Sequence, residues 1–549
     1  MFKAIFLALI LLLLLMTSCV SPAATPVTKS PTTPSLPSAP VPTLTPKPSV
    51  PSKPASFVLG DLTITPTAVI AGEQVTYSIP VSNTGGTEGS YTVVFKYKSS
   101  GGTTGSENVE VTLKPGETKT ASLTKTQNEL GIHFINVNYK SSQYTVTIRL
   151  ATKPFARQTK IEVVTKNAAA FNPKGGNPTR IVRTQDGVFT AYIVEHNGDF
   201  DHEWQLAKRQ SDGTWAVIAQ GDAGTFPVHL LASPDGTLHV IGWSNGIGTM
   251  WSGKPKDGKL VMTSTIIPNV VQGTYPYPAA GIDASGNIFV YSSQSVKNPL
   301  SNAVTGAEFR SSYLPSQSRW VSQTYSVDYR YTYAYVFPGP NGQLSLVANR
   351  DCSRELLGIV QPPGGVSWIF NAFRYWRTND VSSETIQVLS FAEELPTDQY
   401  PDPFLMIQDA YLDTKDRMHI LYAESGATTG GGSQTRHRIV SASGTTLFDE
   451  KLPISKEAGG FCRIFQDSKE RFYLLALGLL YPMDQEGHFI GDPMKLDLEG
   501  HELLQGVGQG QYGLSVPRTG TPLSDVMDVG FISDDGKGWY YFQLDFSGK

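Results

Sequence analysis

Residues 180–194 read Arg-Ile-Val-Arg-Thr-Gln-Asp-Gly-Val-Phe-Thr-Ala-Tyr-Ile-Val. A short apolar segment is followed by the pair Asp186-Gly187 and then by a run of aromatic and β-branched residues. Asp-Gly between two such runs is typical of a β-hairpin, because glycine adopts the positive φ angles of tight turns at no steric cost. The stretch therefore predicts two antiparallel strands joined by a short turn.

The same sequence of strand, turn and strongly apolar strand recurs along the chain. The turns of the further copies are Pro234-Asp235-Gly236, Ser285-Gly286-Asn287, Pro340-Asn341-Gly342, Thr414-Lys415-Asp416, Ser468-Lys469-Glu470 and Asp534-Asp535-Gly536. Their spacing of about 50 to 75 residues leaves room for four strands and loops, the size of one β-propeller blade. Residues 153–549 are therefore predicted to form a β-propeller with six or seven blades.

The hairpin at the C-terminal end has no sequence after it to complete its sheet. An apolar segment at residues 160–165 precedes the first hairpin and can supply the missing outer strand. We therefore expect the two ends of this region to pair and to close the ring.

Residues 57–150 form a separate unit in the sequence. About seven short segments alternate apolar and polar residues and are separated by turn clusters, which is typical of an immunoglobulin-like sandwich. Three phrases resemble the CARDB-type adhesion modules of bacterial surface proteins: Ala71-Gly72-Glu73-Gln74-Val75-Thr76, Val81-Ser82-Asn83-Thr84-Gly85 and Leu113-Lys114-Pro115-Gly116-Glu117-Thr118. The resemblance implies a spacer or adhesive role.

The N-terminal residues 1–19 have the features of a lipoprotein signal peptide. Lys3 precedes an apolar run of about a dozen residues, which is too short to span a bilayer as a mature helix. The run ends in Met16-Thr17-Ser18-Cys19, which resembles the bacterial lipobox and implies lipidation of Cys19 after cleavage. Residues 20–56 are rich in Pro, Ser and Thr, and we expect them to form a disordered, extended stalk. We therefore predict an extracytoplasmic protein anchored to the membrane through lipid.

The overall composition excludes several classes of protein. Only 17% of the 549 residues are charged, with 52 Gly and 37 Pro, which favours strands and turns over helices. A formal net charge of -4 provides no field to hold a polyanion, so nucleic acid is not an expected partner. Three cysteines are too few for a disulfide scaffold, and Cys352 and Cys462 are predicted to be buried thiols in separate blades.

The propeller region also resembles the sialidase-type, BNR-repeat propellers. Ser211-Asp212-Gly213-Thr214-Trp215 resembles a shortened Asp-box of that family, and Arg180-Ile181 stands where sialidases carry an Arg-Ile-Pro phrase. The family binds a substrate carboxylate with three arginines, so the resemblance implies that Arg180, Arg330 and Arg463 are candidates for such a clamp. Arginines near inner strands are also routine partners of buried carboxylates, and this interpretation stays open.

Two further groups are candidates for a binding face at the channel mouth. The first is the loop after the second strand of the first blade, with the candidates Glu195, Asp199, Asp201, His202 and Glu203. Its carboxylates and imidazoles could act as acid and base or bind a divalent metal, or the loop could be a solvated turn. The second group is aromatic and comprises Tyr275, Tyr277, Tyr329 and Tyr331. Tyrosines beside prolines suit stacking on sugars, although the same rings could pack between blades.

The sequence is compatible with more than one function. Our first interpretation is a surface lipoprotein whose propeller binds a glycan or a protein partner, with the stalk and the sandwich as spacers. The alternative is a sialidase-like glycoside hydrolase that acts on extracellular glycans. We predict no cofactor and no metal requirement, and a purely structural envelope protein is a third interpretation.

Overall fold

The structure is a computed structural model of the 549-residue chain. It describes residues 53–99, 103–169, 177–196, 201–224, 226–256, 259–268, 277–297, 304–339, 342–361, 367–396, 403–425, 434–454, 462–476, 478–501, 513–519, 521–533 and 536–548. The described chain is all-β, as the composition predicted, with two short 3-10 helices at Pro315–Gln317 and Arg354–Leu357. Within these residues there is no helix with the length and apolarity that a bilayer crossing needs.

The N-terminal part of the described chain forms a two-sheet region. Its strands are β1 (Phe57–Leu59), β2 (Thr63–Thr65), β3 (Ala68–Ile70), β4 (Gln74–Asn83), β5 (Gly89–Ser99), β6 (Thr104–Leu113), β7 (Thr118–Thr126), β8 (Gly131–Val137) and β9 (Lys140–Thr147). In one sheet β4 pairs with β1, β2 and β7, and the other sheet has the order β3-β9-β8-β5-β6. The sequence predicted about seven strands, and the structure has nine; the two additional strands, β1 and β3, have three residues each.

The two sheets share a single hydrophobic core. Alternate residues of β4 point inward, so that Val75, Tyr77, Ile79 and Val81 are all buried, with Phe95 of β5 on the facing sheet. This period-two burial is what the alternating sequence pattern predicts for sheets that are solvated on one face.

The larger part of the described chain contains 29 strands. They are β10 (Arg157–Gln158), β11 (Glu162–Thr165), β12 (Ile181–Thr184), β13 (Gly187–Glu195), β14 (His202–Arg209), β15 (Trp215–Ala223), β16 (His229–Ala232), β17 (Leu238–Ser244), β18 (Ile247–Gly253), β19 (Thr263–Ile266), β20 (Ala279–Ile282), β21 (Ile288–Lys297), β22 (Val304–Leu314), β23 (Arg319–Val327), β24 (Tyr331–Pro338), β25 (Leu344–Ser353), β26 (Trp368–Thr378), β27 (Gln387–Glu393), β28 (Phe404–Leu412), β29 (Met418–Ser425), β30 (Gln434–Val440), β31 (Thr446–Lys451), β32 (Arg463–Gln466), β33 (Phe472–Ala476), β34 (Leu479–Met483), β35 (Met494–Lys495), β36 (Leu514–Ser515), β37 (Val526–Ile532) and β38 (Trp539–Asp545).

These strands form seven small antiparallel sheets within the described residues. Sheets 1 to 6 each contain four consecutive strands, from β12-β13-β14-β15 for sheet 1 to β32-β33-β34-β35 for sheet 6. Sheet 7 has the order β36-β37-β38, with β10 and β11 both paired to β38. The first strands of successive sheets contact one another from β12 to β32, and β37 contacts β12. The arrangement is β-propeller-like, with these inner strands around a central channel.

The ring is closed by the pairing that the sequence predicted. Strand β11 runs antiparallel to β38, with Glu162 opposite Tyr541 and Val163 opposite Tyr540. A strand from before the first hairpin therefore completes the sheet of the last hairpin, and this prediction is confirmed.

The inner hairpins join the first two strands of a sheet. Their turns are stabilised by an aspartate as well as by glycine. In sheet 5, Asp413 accepts the backbone N–H groups of Lys415 and Arg417, at 2.9 and 2.7 Å. In sheet 6, Asp467 accepts those of Lys469 and Arg471 in the same way, both at 2.9 Å. Because the carboxylate satisfies two turn donors, these hairpins form without the glycine that marks the other copies.

Cys352 and Cys462 are buried thiols in sheets 4 and 6, as the sequence predicted. The two-sheet region and the ring belong to one compact unit that begins at Pro54. Ile148 packs against the core of sheets 5 and 6, and the Ala151 N–H donates to the Pro493 carbonyl at 2.9 Å.

Candidate functional site

The candidate site lies where the inner strands of sheets 2 to 5 begin. Aromatic side chains from these starting points meet at one end of the channel, which we call the mouth. At the other end, the turns that follow the inner strands of sheets 1 to 3 line a common groove. The two ends of the channel are therefore built from different parts of each sheet.

Tyr277 is the centre of an aromatic group that we call the mouth cluster. The cluster comprises Phe226, Tyr277, Arg330, Tyr333, Trp368 and Phe370. The Tyr277 ring meets Phe226 edge-on at a centroid distance of 5.0 Å and Tyr333 at 5.1 Å. Tyr277 and Trp368 are each partly exposed, whereas the rings behind them are buried.

Arg330 lies between two rings of the mouth cluster. Its guanidinium carbon is 5.0 Å from the centroid of Tyr277 and 4.4 Å from that of Trp368. Its Nη2 donates to Oδ2 of buried Asp351 at 2.5 Å, and the same oxygen accepts the Thr332 hydroxyl at 3.0 Å. The carboxylate fixes the guanidinium, which in turn holds the planes of both rings by cation–π contact.

The backbone of the mouth cluster adopts conformations that bulky residues rarely take. Tyr277 and Tyr333 have φ angles of 46° and 50°, in the left-handed region that normally favours glycine. The β24–β25 pairing is irregular at Tyr333, where the register shifts between Thr332 and Tyr335. Such strain persists only where the surrounding structure holds it, and it is concentrated at binding and catalytic sites.

Below the mouth cluster, two of the predicted arginines approach each other at the base of the site. Arg180 and Arg463 are both fully buried, and Arg463 Nη1 donates to the Gln408 carbonyl at 3.0 Å. The same carbonyl accepts the Tyr335 hydroxyl at 3.0 Å. Gln408 itself sits where the β28–β29 register shifts between Ile407 and Asp409. The base of the site thus joins sheets 1, 4, 5 and 6.

The proximity of the two guanidiniums changes their electrostatics. Burial and the charge of Arg463 lower the pKa of Arg180 to about 9. Burial also lowers the pKa of His229 to about 4, with a smaller contribution from Arg180, so this imidazole is neutral at pH 7. His229 Nε2 donates to the carbonyl of Pro278 at 3.2 Å, next to Tyr277. Positive charge therefore lies directly behind the mouth cluster.

The third predicted arginine has a different role from the other two. Arg330 is paired with Asp351 and contacts the rings of Tyr277 and Trp368, so protein side chains hold its guanidinium in place. Of the three candidate arginines, Arg180 and Arg463 lie near each other, and Arg330 is bound to Asp351.

The described residues of the acidic loop of sheet 1, 195–196 and 201–203, lie at the same end of the ring, because β13 ends there. His202 is buried, and its Nδ1 donates to the Gly224 carbonyl at 2.6 Å. Glu203 accepts the side-chain amides of Gln205 and Gln220, both at 3.1 Å. Glu195 is exposed and lies opposite His202 in the strand register. His202 and Glu203 thus support the sheet structurally.

Within the described residues, no group of three or more His, Cys, Asp or Glu side chains is arranged to hold a metal ion. Asp201 contacts His196 at 3.7 Å in the described part of the acidic loop. The predicted candidates Asp199 and Tyr275, and the lipidation site Cys19, lie outside the described residues.

The two remaining predicted tyrosines lie in different environments. Tyr331 is buried in the core between sheets 3 and 4, with the Arg374 guanidinium 3.9 Å from its centroid. Tyr329 is partly exposed beside the mouth, and Arg350 lies 4.9 Å from its centroid. Packing between sheets therefore accounts for Tyr331, whereas Tyr329 stays a candidate for binding.

The sequence did not identify Trp368, Tyr333 or Gln408 as site residues. Trp368 begins a strand and comes shortly after the sequence Pro-Pro-Gly-Gly, a turn signal that was available in the sequence. Tyr333 and Gln408 reach the site because of register shifts, which alternation alone does not predict.

Comparisons with known proteins show no family for this chain. No protein-family model matches the chain, and no curated protein matches it. Among solved structures, an ulvan lyase of polysaccharide lyase family PL25 is 14% identical over 70% of this chain and 95% of that chain, with a TM-score of 0.38. A Dyadobacter fermentans protein of unknown function is 13% identical over 72% of this chain and 100% of its own, with a TM-score of 0.37. A β-glucosidase from Erythrobacter marinus is 18% identical but covers 17% of this chain and 16% of its own, with a TM-score of 0.16.

Proposed function

We propose that this chain is a lipid-anchored surface protein whose propeller-like region binds a glycan at the mouth cluster. The proline-rich stalk and an immunoglobulin-like two-sheet region act as spacers that hold the binding region away from the membrane. The observation that carries the proposal is the partly exposed pair of rings, Tyr277 and Trp368, held on either side of Arg330.

The chemistry of the mouth cluster supports a sugar as the ligand. Flat rings cover the apolar faces of pyranoses, and the fixed guanidinium between them offers donors to ring hydroxyls. The ring planes are fixed in advance by Asp351 through Arg330, so little conformational freedom is lost on binding. Positive charge from Arg180 and Arg463 behind the rings favours a glycan with a carboxylate or sulfate group.

The mouth cluster can be tested by removing single rings. In a glycan-array screen, the purified wild-type protein should bind immobilised acidic oligosaccharides, and its binding serves as the reference. Tyr277→Ala or Trp368→Ala should weaken binding by about 1 kcal/mol or more, which is about a fivefold or greater rise in Kd. Tyr139→Ala is the matched control, because Tyr139 is 81% exposed in the two-sheet region. Equal binding by the three variants would reject the mouth cluster as the site.

The anchor is tested separately from the glycan. Metabolic labelling with a fatty-acid analogue should mark the wild-type chain at Cys19 and leave Cys19→Ala unlabelled. Equal labelling of the two proteins would reject the lipid anchor without affecting the interpretation of the mouth cluster.

A further inference from the structure

One segment crosses the central channel at the end opposite the mouth cluster. It comprises residues 513–524, described except for residue 520, and we call it the strap. Its first part, β36, pairs with β37 of sheet 7. Further along, the hydroxyl of Thr519 accepts the N–H of Ile282, the last residue of the inner strand of sheet 3, at 3.3 Å. Residues 521–524 then line a groove with the inner turns of sheets 1 to 3. The strap therefore reaches from one side of the ring to the other.

Arg518 connects the middle of the strap to sheets 5 and 6. Its Nη2 pairs with Oδ2 of Asp409, and the side chains are 9% and 0% exposed. Asp409 Oδ2 also accepts the N–H of Ile464 at 2.8 Å, and Arg518 Nη1 donates to the Ile464 carbonyl at 3.2 Å. The ion pair thus holds both backbone polar groups of one residue in the inner strand of sheet 6. Charge-assisted bonds of this kind are about twice as strong as neutral ones.

The residues that Arg518 holds are the immediate neighbours of the base of the site. Asp409 follows Gln408, and Ile464 follows Arg463, whose guanidinium donates to the Gln408 carbonyl. The contacts of Arg518 therefore couple the position of the strap to the two inner strands that carry Gln408 and Arg463.

We propose that the strap closes this end of the channel and that Arg518 is the latch that holds it closed. Arg518 is then a positioning residue, which acts on Gln408 and Arg463 through Asp409 and Ile464. The positioning of a binding site rests on the proposed function, whereas the closure of the channel does not.

The chain contains a thiol that reports on this closure. Cys462 precedes Arg463 and is fully buried in the core shared by sheets 5 and 6. Cys352 is buried in sheet 4, which the strap contacts described above do not include, and serves as an internal reference. Burial raises the pKa of Cys462 to about 12 and that of Cys352 to about 11, so neither thiol reacts readily while the structure is closed.

The experiment measures alkylation of the two thiols with iodoacetamide in the full chain, followed by peptide mapping. Arg518→Gln should speed the labelling of Cys462 by about tenfold and leave Cys352 unchanged, because one charged latch is lost and sheets 5 and 6 open locally. Arg518→Lys keeps the charge but loses the planar fork that contacts Asp409 and Ile464 together, so it should give an intermediate rate.

Two further variants separate a latch from a general loss of stability. Arg377→Gln removes an ion pair with Asp416 whose arginine is also 9% exposed, but which joins β26 of sheet 4 to the β28–β29 turn of sheet 5 and involves no residue of the strap. It should leave the Cys462 rate unchanged. Asp409→Asn should reproduce the effect of Arg518→Gln, and the double variant should label no faster than either single variant, because the two changes remove the same interaction.

A specific result overturns the proposal. If Arg518→Gln accelerates both thiols equally, or if Arg377→Gln accelerates Cys462 to the same extent, the strap is ordinary packing. If Arg518→Gln does not fold, Arg518→Lys with unchanged Cys462 labelling rejects the latch. Because no glycan is used, these results are independent of whether the mouth cluster binds one.

Discussion

The carboxylate of Glu162 and the guanidinium of Arg209 form a two-pronged ion pair across the seam where the ring closes. Arg209 Nε donates to Oε2 at 2.8 Å and Nη2 to Oε1 at 2.5 Å. The indole N–H of Trp215 donates to the same carboxylate at 3.0 Å. Glu162 lies in β11 of sheet 7, whereas Arg209 and Trp215 flank the outer turn of sheet 1. One side chain therefore joins the first and last sheets of the ring.

We expect Glu162→Gln to destabilise the ring. The amide removes the negative charge and one acceptor from a partly buried pair, which should lower the free energy of unfolding by about 1–3 kcal/mol. Asp61→Asn is the control, because Asp61 pairs with Lys140 through a side chain that is 95% exposed, and exposed ion pairs contribute little to stability. Urea unfolding of both variants at pH 7 measures the difference. Equal losses of unfolding free energy would show that the Glu162–Arg209 pair stabilises the chain no more than an exposed ion pair does.

The closing strand itself can be removed. A chain that starts at residue 170 lacks β10 and β11, so β38 becomes an exposed edge whose unpaired backbone groups favour aggregation. We expect it to melt at a lower temperature, or to aggregate, compared with a chain that starts at residue 153 and keeps both strands. Calorimetry and light scattering of the two chains provide the comparison, and identical melting would contradict the role of the closing strand.

The hairpins of the ring were predictable because their determinants are local. A turn such as Pro234-Asp235-Gly236 carries its own hydrogen-bond acceptor and its own positive φ residue, Gly236. The pairing of β11 with β38 was also predictable, because the last sheet lacked a strand and one unused apolar segment remained.

The site was less predictable because it depends on register. The odd-numbered tyrosines from 331 to 335 should share one face of a regular strand. Instead Tyr331 enters the core of sheets 3 and 4, Tyr333 joins the mouth cluster and Tyr335 reaches the core of sheets 4 and 5. The register shift at Tyr333 and the positive φ angle of this residue direct the three side chains to different places. The alternation of apolar and polar residues predicts neither feature.

The stability of the ring should fall in mild acid. Burial lowers the pKa of His229 and that of His239 to about 4, below the usual value of 6.5. Between these values the unfolded chain binds more protons than the folded one, so stability is complete above about pH 6.5 and is lost as the pH falls towards 4. Each histidine should contribute about 2 kcal/mol of this loss at pH 5.

A variant isolates one histidine from the other groups that titrate. Both ring nitrogens of His239 are hydrogen-bonded, to the hydroxyls of Ser233 and Ser252 at 2.8 Å. His239→Gln should unfold at lower urea concentration than the wild type at pH 7.5, and the difference should shrink by pH 5. His488→Gln, at a side chain that is 55% exposed, is the control for replacing a histidine at the surface. A constant difference for His239→Gln would show that this imidazole does not titrate as expected.

Tyr329 and Tyr331 should respond to truncation in opposite ways, although only one residue separates them. Tyr331 is 2% exposed, and its ring contacts Trp376 at a centroid distance of 5.9 Å and the Arg374 guanidinium at 3.9 Å. Tyr331→Ala should therefore cost about 3–5 kcal/mol of stability, as for other large aromatic side chains in cores.

Tyr329→Ala should cost less, about 1–2 kcal/mol, because its partly exposed ring loses the cation–π contact with Arg350 and part of its packing against Ile359 and Ile369. Urea unfolding gives both stabilities, and glycan binding by folded Tyr329→Ala then shows whether the ring extends the mouth cluster. If Tyr331→Ala unfolds like the wild type, its ring does not support the junction of sheets 3 and 4. In that case the assignment of this tyrosine to packing, and not to binding, would be wrong.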